Sequence, residues 1–346
     1  MYDIVIKEMM KMKEKIKMDV NKCLTDLMEQ YEYEDIKELF EALNNSIFKK
    51  ELFAYMSKEL DEENLKCPYC GNQHVHKNGK TPQGVQRYKC TCKKTFILRH
   101  NTLMYHSHLS SEQWNMMLCS TLNNDSLQKM AGLTGISITS AFYCRHKILY
   151  VLVQIMNEDI LLDEAELDET YLTFEQEGYV RKEKRGISED KIGIACAIDI
   201  HDNIVLSVAD RGRPTSKTLI EIFDKTMTHG MKIISDSQRS YHPLMKHLQA
   251  DWKKIPSRKQ EIEGYTLDRV NKLHEQIKTF FRGKRNVATH YLQGYLALFQ
   301  YKRKHPLYLD NHICRSLFYQ LNCIKTALRN KDICSGVNIY RTFYNL

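Results

Sequence analysis

The sequence predicts a mixed α/β domain set between helical segments and preceded by a small cysteine-clustered β unit. Three observations predict it. From Leu162 to Pro256 β-prone runs alternate with helical ones, while the stretches on either side keep a helical apolar period. Four of the 11 cysteines fall in two close pairs, Cys67/Cys70 and Cys90/Cys92, among turn-forming residues. With 346 residues, 42% of them hydrophobic and 27% charged, and only 14 Gly and 6 Pro, the chain has room for several domains. That composition excludes a collagen-like, low-complexity or mostly disordered protein. Lys and Arg outnumber Asp and Glu by 51 to 43, a net charge of +8 that fits a polyanionic partner without requiring one. No apolar run reaches the roughly 18 residues of a membrane span, and the Met- and Lys-rich start lacks the apolar core of a signal peptide, so a cytoplasmic protein is expected.

Taken in chain order, residues 1–62 read as a helical N-terminal segment: Ile36, Leu39, Phe40, Leu43, Ile47 and Phe48 recur at helical spacing between Lys and Glu. In residues 63–104 the character changes. Gly71, Gly79, Pro82 and Gly84 punctuate short β-prone pieces at Gln86–Lys89 and Thr95–Leu98, and few apolar residues are available to hold them. Two cysteine knuckles roughly twenty residues apart meet the needs of a tetrahedral zinc site, each offering two thiolates at short range. The Cys67-Pro68-Tyr69-Cys70 half has the usual spacing, whereas Cys90-Thr91-Cys92 is one residue shorter, leaving His74, His76 and His100 open as substitute ligands. A disulfide or unrelated free thiols remain the alternatives. Arg87, Lys89, Lys93 and Lys94 around the cluster, with Tyr88 and Phe96 interleaved, suit contacts to DNA phosphates or a solvated charged face.

Residues 105–158 read as helices containing a helix-turn-helix candidate. Ala131 permits close packing, Gly135 makes the turn, Ser137 caps the second helix, and Ala141 and Ile148 face inward. Thr139, Ser140, Tyr143, Arg145 and His146 are expected to face outward, where a recognition helix meets DNA.

In residues 159–305 strands are expected at Glu166–Thr173, Ile192–Ile200, Ile204–Ala209, Lys232–Ser235 and Trp252–Ile255, with a helix at Ser216–Thr228. The first three make an antiparallel meander through the tight His201-Asp202-Asn203 turn, and the helix lets the fourth run parallel. From Leu267 to Arg329 helix dominates, ending in a helical extension over 306–346. Asp168 and Asp236 each sit in a strand-like run, where a carboxylate is costly without a partner; two from adjacent strands can hold divalent metal between them. Ordinary turn-forming aspartates are the competing reading. The basic loop Gly178–Gly186, with Arg181, Lys182, Lys184 and Arg185, and the run Arg282, Lys284 and Arg285 extend the positive surface.

In this order the Cys-Pro-x-Cys ribbon, Arg87–Cys90, Leu167-Asp168-Glu169-Thr170-Tyr171, Ser235-Asp236 and an Asn271 helix leading to Tyr291 and Tyr295 resemble insertion-sequence transposases of the DDE superfamily, in the group with an N-terminal zinc ribbon. The resemblance covers about residues 67 to 305. It implies an RNase H-like catalytic domain with a mixed five-stranded sheet and flanking helices, following a zinc ribbon and a helix-turn-helix-like region. It further implies structural Zn²⁺ on the four cysteines, and catalytic Mg²⁺ or Mn²⁺ on Asp168, Asp236 and the third position. That position is Glu in many members but Asn or His in some, with a Lys or Arg two helical turns later; Asn271 and Lys278 fit the Asn variant. His274 and Glu275 remain competitors for the third ligand. The implied activity is binding of terminal inverted repeats in double-stranded DNA, metal-dependent cleavage and strand transfer, by a homodimer or larger assembly on DNA. A non-catalytic, zinc-dependent DNA-binding regulator and a nuclease that does not join strands are the alternatives.

Overall fold

The computed structural model describes residues 32–59 and 65–335, apart from residues 83, 158, 177, 183, 184, 257, 258, 260, 285, 286, 309 and 327. Most of the expected N-terminal helical segment, and Lys184, Arg285 and residues 336–346, lie outside them. Two units divide the chain, 1–65 and 66–346. The first contributes one helix, α1 (Tyr33–Glu59), opening on Glu34 and Asp35, which favour a helix N-terminus. No helix among the described residues is long and apolar enough to cross a membrane.

The second unit begins with a three-stranded antiparallel sheet, β1 (Val75–Lys80), β2 (Gln86–Cys90) and β3 (Thr95–Ile97). Alternation along β2 buries Tyr88 and Cys90 and exposes Arg87 and Lys89. Tyr88 and Phe96, directly cross-strand, stack at 5.9 Å as the small core of this sheet. These two aromatics are therefore packing groups rather than part of a nucleic-acid-binding face.

Three helices follow, α2 (Ser111–Leu122), α3 (Leu127–Thr134) and α4 (Ile138–Met156). Each N-cap is a serine whose side chain accepts a backbone N–H of the first turn: Ser110 from Gln113, Ser126 from Lys129, Ser137 from Ser140. Gly135 ends α3 at φ +68°, the left-handed conformation that makes the turn into α4. The expected turn and cap residues of the helix-turn-helix candidate thus stand where the sequence places them, and Ala141 and Ile148 are buried as expected.

The α/β region is a five-stranded sheet of order β6-β5-β4-β7-β8, made of β4 (Glu164–Thr173), β5 (Lys191–Asp199), β6 (Ile204–Arg211), β7 (Lys232–Asp236) and β8 (Asp251–Ile255). β4, β5 and β6 form an antiparallel meander; β7 and β8 run parallel to β4. Helices α5 (Ser216–Phe223) and α6 (Tyr241–Leu248) make the two crossovers. This mixed order and polarity is the RNase H-like arrangement.

Side-chain alternation divides the sheet into two cores. Ala165, Leu167, Ala195 and Ala197 pack against Leu219, Phe223, Leu244 and Leu248 of α5 and α6. On the other face Ile194, Cys196 and Ile198 pack against Val270, Leu273 and Ile277 of α7 (Asp268–Arg282) and Leu292 and Leu296 of α8 (Leu292–Lys304). Burying a Leu or Ile of this kind is worth about 1.5–3 kcal/mol, so α7 is held to the sheet by its apolar stripe. At the β5–β6 turn the buried Asp199 carboxylate accepts N–H groups of His201 (2.8 Å), Asn203 (2.9 Å) and Leu162 (3.0 Å), a fully engaged structural aspartate. Edge strand β6 is closed by α8: the Gln293 side chain accepts the Val208 N–H at 2.8 Å and donates to the Leu206 carbonyl, and Gln300 donates to the Ile204 carbonyl. Helices α9 (Asn311–Cys323) and the short α10 (Asn330–Ile333) complete the described chain.

Candidate functional site

Two arrangements of chemically competent side chains stand out. The first is the cysteine cluster. The thiol sulfurs of Cys67, Cys70, Cys90 and Cys92 lie within 4.8 Å of one another, with Cys67–Cys92 at 3.7 Å and Cys70–Cys90 at 3.6 Å. Four thiolates around zinc at a Zn–S length of about 2.3 Å would sit about 3.8 Å apart, so the donor set fits that ion. The shorter second knuckle reaches this geometry because Lys93, one residue past Cys92, takes a left-handed conformation (φ +67°). Its N–H then returns to the Cys90 carbonyl at 2.9 Å. Gly71 does the same for the first knuckle, φ +72°, donating to Cys67. The Cys92 backbone N–H draws the Cys90 thiol down, toward the thiolate form that a metal takes. His74, His76 and His100 stay outside the cluster.

The second arrangement is acidic. β4 is the central strand, and its parallel pairing with β7 runs through Leu167 opposite Ser235. Asp168 and Asp236 come next on their strands and project to the same face, the one α7 covers. Burial, reinforced by the Asp236 charge, pushes the Asp168 carboxyl up to about 6 against the pull of the Glu169 N–H. A pair of carboxylates that makes no ion pair among the described residues is an environment that a divalent cation relieves.

Helix α7 brings the third group. No side chain at its own N-cap, Leu267, closes its first turn. Instead the buried Glu166 carboxylate, two residues before Asp168 and on the same face, accepts the Val270 N–H at 2.9 Å, with the Arg269 N–H also drawn to it. One turn on, Asn271 is exposed into a cleft of about 480 Å³ that it lines together with Asp236 and Asp268. His274 is buried with its ring against the Asp168 backbone. Burial and then the Lys278 charge hold its pKa down to about 4, and its Nε2 has no partner among the described residues. Glu275 turns to solvent, where Lys278 donates to it at 2.9 Å. Of the three sequence candidates for the third position, the structure thus brings Asn271 into the open cleft with Asp236, buries His274 beside Asp168, and directs Glu275 away.

Sequence reasoning missed Glu166 and Glu169. Glu169 points to the opposite face of β4, where burial pushes it up to about 7, the Tyr241 hydroxyl opposes the shift, and Asp168 and Asp236 add to it. Gln238 donates to it at 3.4 Å. The available signal was three acidic residues within four positions of a strand interior, more than a solvated edge requires.

The expected DNA-facing residues divide. Arg87, Lys89, Lys93 and Lys94 of the ribbon are exposed, as are Thr139, Arg185 and Arg282. Arg181 pairs with Glu175, and Lys182 with Glu189 at 3.1 Å. Tyr143 is half-buried, its hydroxyl 3.2 Å from Cys334 Sγ. Arg145 turns its guanidinium onto the Asp125 carbonyl and Met130 sulfur, and its Nε is buried. Lys284 is half-buried over Phe280 and Tyr295, donates to Asn124 at 2.6 Å, and is pushed down to about 8 by that burial. Lys284 thus joins the helical unit to α7 and α8, whereas Arg145 bonds within the helical unit. His146, expected outward, is 2% exposed and stacks on Tyr291 at 3.9 Å, a correction that follows from α8 packing across α4.

Comparison with known proteins bears on the same region. Residues 160–304 match the family model described as an ISXO2-like transposase domain. No curated protein matches the chain in sequence. Among solved structures, the intasome of simian T-cell lymphotropic virus in complex with a PP2A regulatory subunit, B56 gamma, aligns at 11% identity and a TM-score of 0.29, covering 55% of this chain and 74% of that one. A pre-cleavage Mos1 transpososome aligns at 11% identity and 0.25, covering 61% and 78%, and the Mos1 strand transfer complex at 10% and 0.27, covering 60% and 74%. The motifs on β4, β7 and α7 all fall within the span, residues 160–304, that matches the ISXO2-like transposase domain.

Proposed function

We propose that the protein is a DNA transposase that binds the terminal repeats of an insertion sequence and cuts and joins DNA with divalent metal held by Asp168, Asp236 and Asn271. One observation carries this reading: neighbouring strand ends set Asp168 and Asp236 on one face, neither carboxylate makes an ion pair among the described residues, and Asn271 opens onto the cleft that Asp236 lines. Mg²⁺ or Mn²⁺ bound there would supply the positive charge that offsets charge developing on the scissile phosphate. The chain's own part is positional. Glu166 fixes the first turn of α7, and the amide oxygen of Asn271 serves as a neutral third ligand, bringing less charge than a carboxylate would. In cleavage the oxygen of water bonds to phosphorus and the bond to the 3′-oxygen breaks; one water proton goes to that oxygen, making the free 3′-hydroxyl, and the other leaves the new phosphate to solvent. In strand transfer the freed 3′-hydroxyl replaces water in the same in-line displacement on target DNA.

The four thiolates hold Zn²⁺, giving the ribbon a rigidity that its small core does not supply. Arg87, Lys89, Lys93 and Lys94 then present an ordered positive face to the phosphates, while Thr139 and Tyr143 on α4 approach the bases and Arg181, Lys182, Arg185 and Arg282 meet the backbone. Lys278 acts near the cleaved phosphate once released from Glu275. Two ends call for two copies, so a homodimer or larger assembly forms on DNA. The test separates chemistry from binding: Asp236→Ala should abolish cleavage of element-end DNA while end affinity changes less than about twofold. Equal loss of both would refute the catalytic assignment.

A further inference from the structure

Away from the acidic cleft, a cavity of about 850 Å³ opens where the cysteine ribbon, the segment leading into α2 and the start of α10 come together. One wall is a run of rings. His100 lies 4.9 Å from Tyr69 and 4.3 Å from Tyr105, and Tyr105 lies 4.0 Å from His106, centroid to centroid. Tyr69 keeps half of its surface open, at 50% exposure. The cavity lining includes no carboxylate, yet Lys147, Arg329 and Lys331 all contribute to it. Arg329 is engaged by Asp332 at 3.1 Å, whereas Lys147 and Lys331 make no ion pair among the described residues. Lys147 is half-buried, and that burial holds its pKa below the usual lysine value, the mark of an ammonium lacking a counter-charge. His100 is 6% exposed, and its Nδ1 has no partner among the described residues.

The open requirements converge on one ligand chemistry. A flat ring can stack on the open part of Tyr69, and a phosphate can neutralise Lys147 and Lys331. Those features together describe a nucleotide. A base inside a duplex has both faces covered by its neighbours, so only an unpaired base offers the face that an aromatic platform needs. We propose that this cavity takes one unpaired nucleotide of a DNA strand, its base on Tyr69 and its phosphate between Lys147 and Lys331. This rests on reading the protein as one that acts on DNA, and it adds a single-stranded contact to the duplex contacts of the ribbon.

The experiment uses the full chain with zinc bound. Its probes are a blunt duplex, the same duplex with a single-stranded extension of a few nucleotides containing the fluorescent adenine analogue 2-aminopurine, and free dAMP. The extension should tighten binding by about tenfold and quench the analogue as it stacks. Tyr69→Ala should abolish the gain and the quench while leaving blunt-duplex affinity and zinc content unchanged. Lys331→Glu, at an exposed position, provides a second variant should Tyr69→Ala fail to hold zinc, and it should abolish the gain. An extension that binds no tighter than the blunt duplex, or a quench that survives both variants, overturns the proposal. So does dAMP competing as well as the extension, since the site would then serve free nucleotides. Loss of blunt-duplex binding with the quench intact would strike the reading of duplex recognition and leave the cavity assignment standing.

Discussion

At the scale of the residue, Asp168 shows how position sets chemistry. Its carboxyl is raised from an ordinary value of 3.8 to about 6, by burial first and by Asp236 after it. The ionised form is thus the disfavoured one in the folded, metal-free protein. The linkage has a definite sign: the folded state takes up a proton that the unfolded chain has already released, so stability is greatest at low pH and falls as pH rises from about 4 to 6. Asp168→Asn removes the cost. In the presence of a chelator, thermal melts should show Asp168→Asn raising Tm by a few degrees at about pH 8, with little gain at about pH 4. An equal shift at both pH values would contradict this origin. Added Mg²⁺ should reverse the ranking, stabilising the wild type and not the variant.

The aspartates were legible as strand-interior carboxylates, but the inward turn of Arg145 and Lys284 was not. A basic residue on an amphipathic helix reads as solvent-facing until another element covers it. Here Asp125, Met130 and Asn124 from the neighbouring helix and turn do so. His146 was misread for the same reason: its apolar surroundings come from Tyr291, far along the chain.

At the scale of the element, α7 is set by its packing stripe and by a cap borrowed from β4. The stripe of Val270, Leu273 and Ile277 has a plain helical period, so the helix was legible. Its N-terminal closure by Glu166 was not, because the capping group lies more than a hundred residues earlier in sequence. Glu166→Ala should cost about 1–2 kcal/mol of stability and lower metal-dependent cleavage, since the first turn of α7 carries Asn271. Glu166→Gln keeps an acceptor oxygen and should retain most of both. Indistinguishable Ala and Gln variants in melts and cleavage rates would remove the capping role.

The turn between α3 and α4 was readable in full. Gly135 is the residue type that its φ of +68° favours, and Gly135→Ala should destabilise by about 1 kcal/mol through backbone strain, as no neighbour lies close enough to clash. The ribbon makes a parallel case. Its cysteine spacing was legible, but the closure of the shorter knuckle depends on Lys93 adopting a left-handed conformation, which few sequences advertise. Removing zinc with a chelator should release the β1–β3 unit, weaken duplex binding and flatten its salt dependence. Unchanged affinity and salt slope after metal removal would dissociate the ribbon from DNA.

At the scale of the whole molecule, the meander and a parallel fourth strand were legible in the sequence, whereas the strand order, with β4 central, was not. Short β-prone runs around one tight turn dictate a meander, and an intervening helix dictates a parallel fourth strand. What the sequence did not disclose is how α8 seals the sheet. Gln293 and Gln300, two turns apart, resemble solvent-facing residues, yet both are buried and satisfy the free edge of β6. The resulting architecture sets Asp168 and Asp236 on one face of the sheet and brings Asn271 of α7 to the cleft that Asp236 lines. The central claim is that this meeting is a metal-dependent DNA-cutting centre, and one measurement tests it most directly. The purified protein is incubated with the gene and its flanking DNA in Mg²⁺, beside Asp168→Ala and Asn271→Ala. Discrete cuts at two element ends, absent in Asp168→Ala and reduced by at least about tenfold in Asn271→Ala, are the predicted result. Specific binding of those ends with no cleavage in Mg²⁺ or Mn²⁺, or cleavage that survives Asp168→Ala, would contradict it.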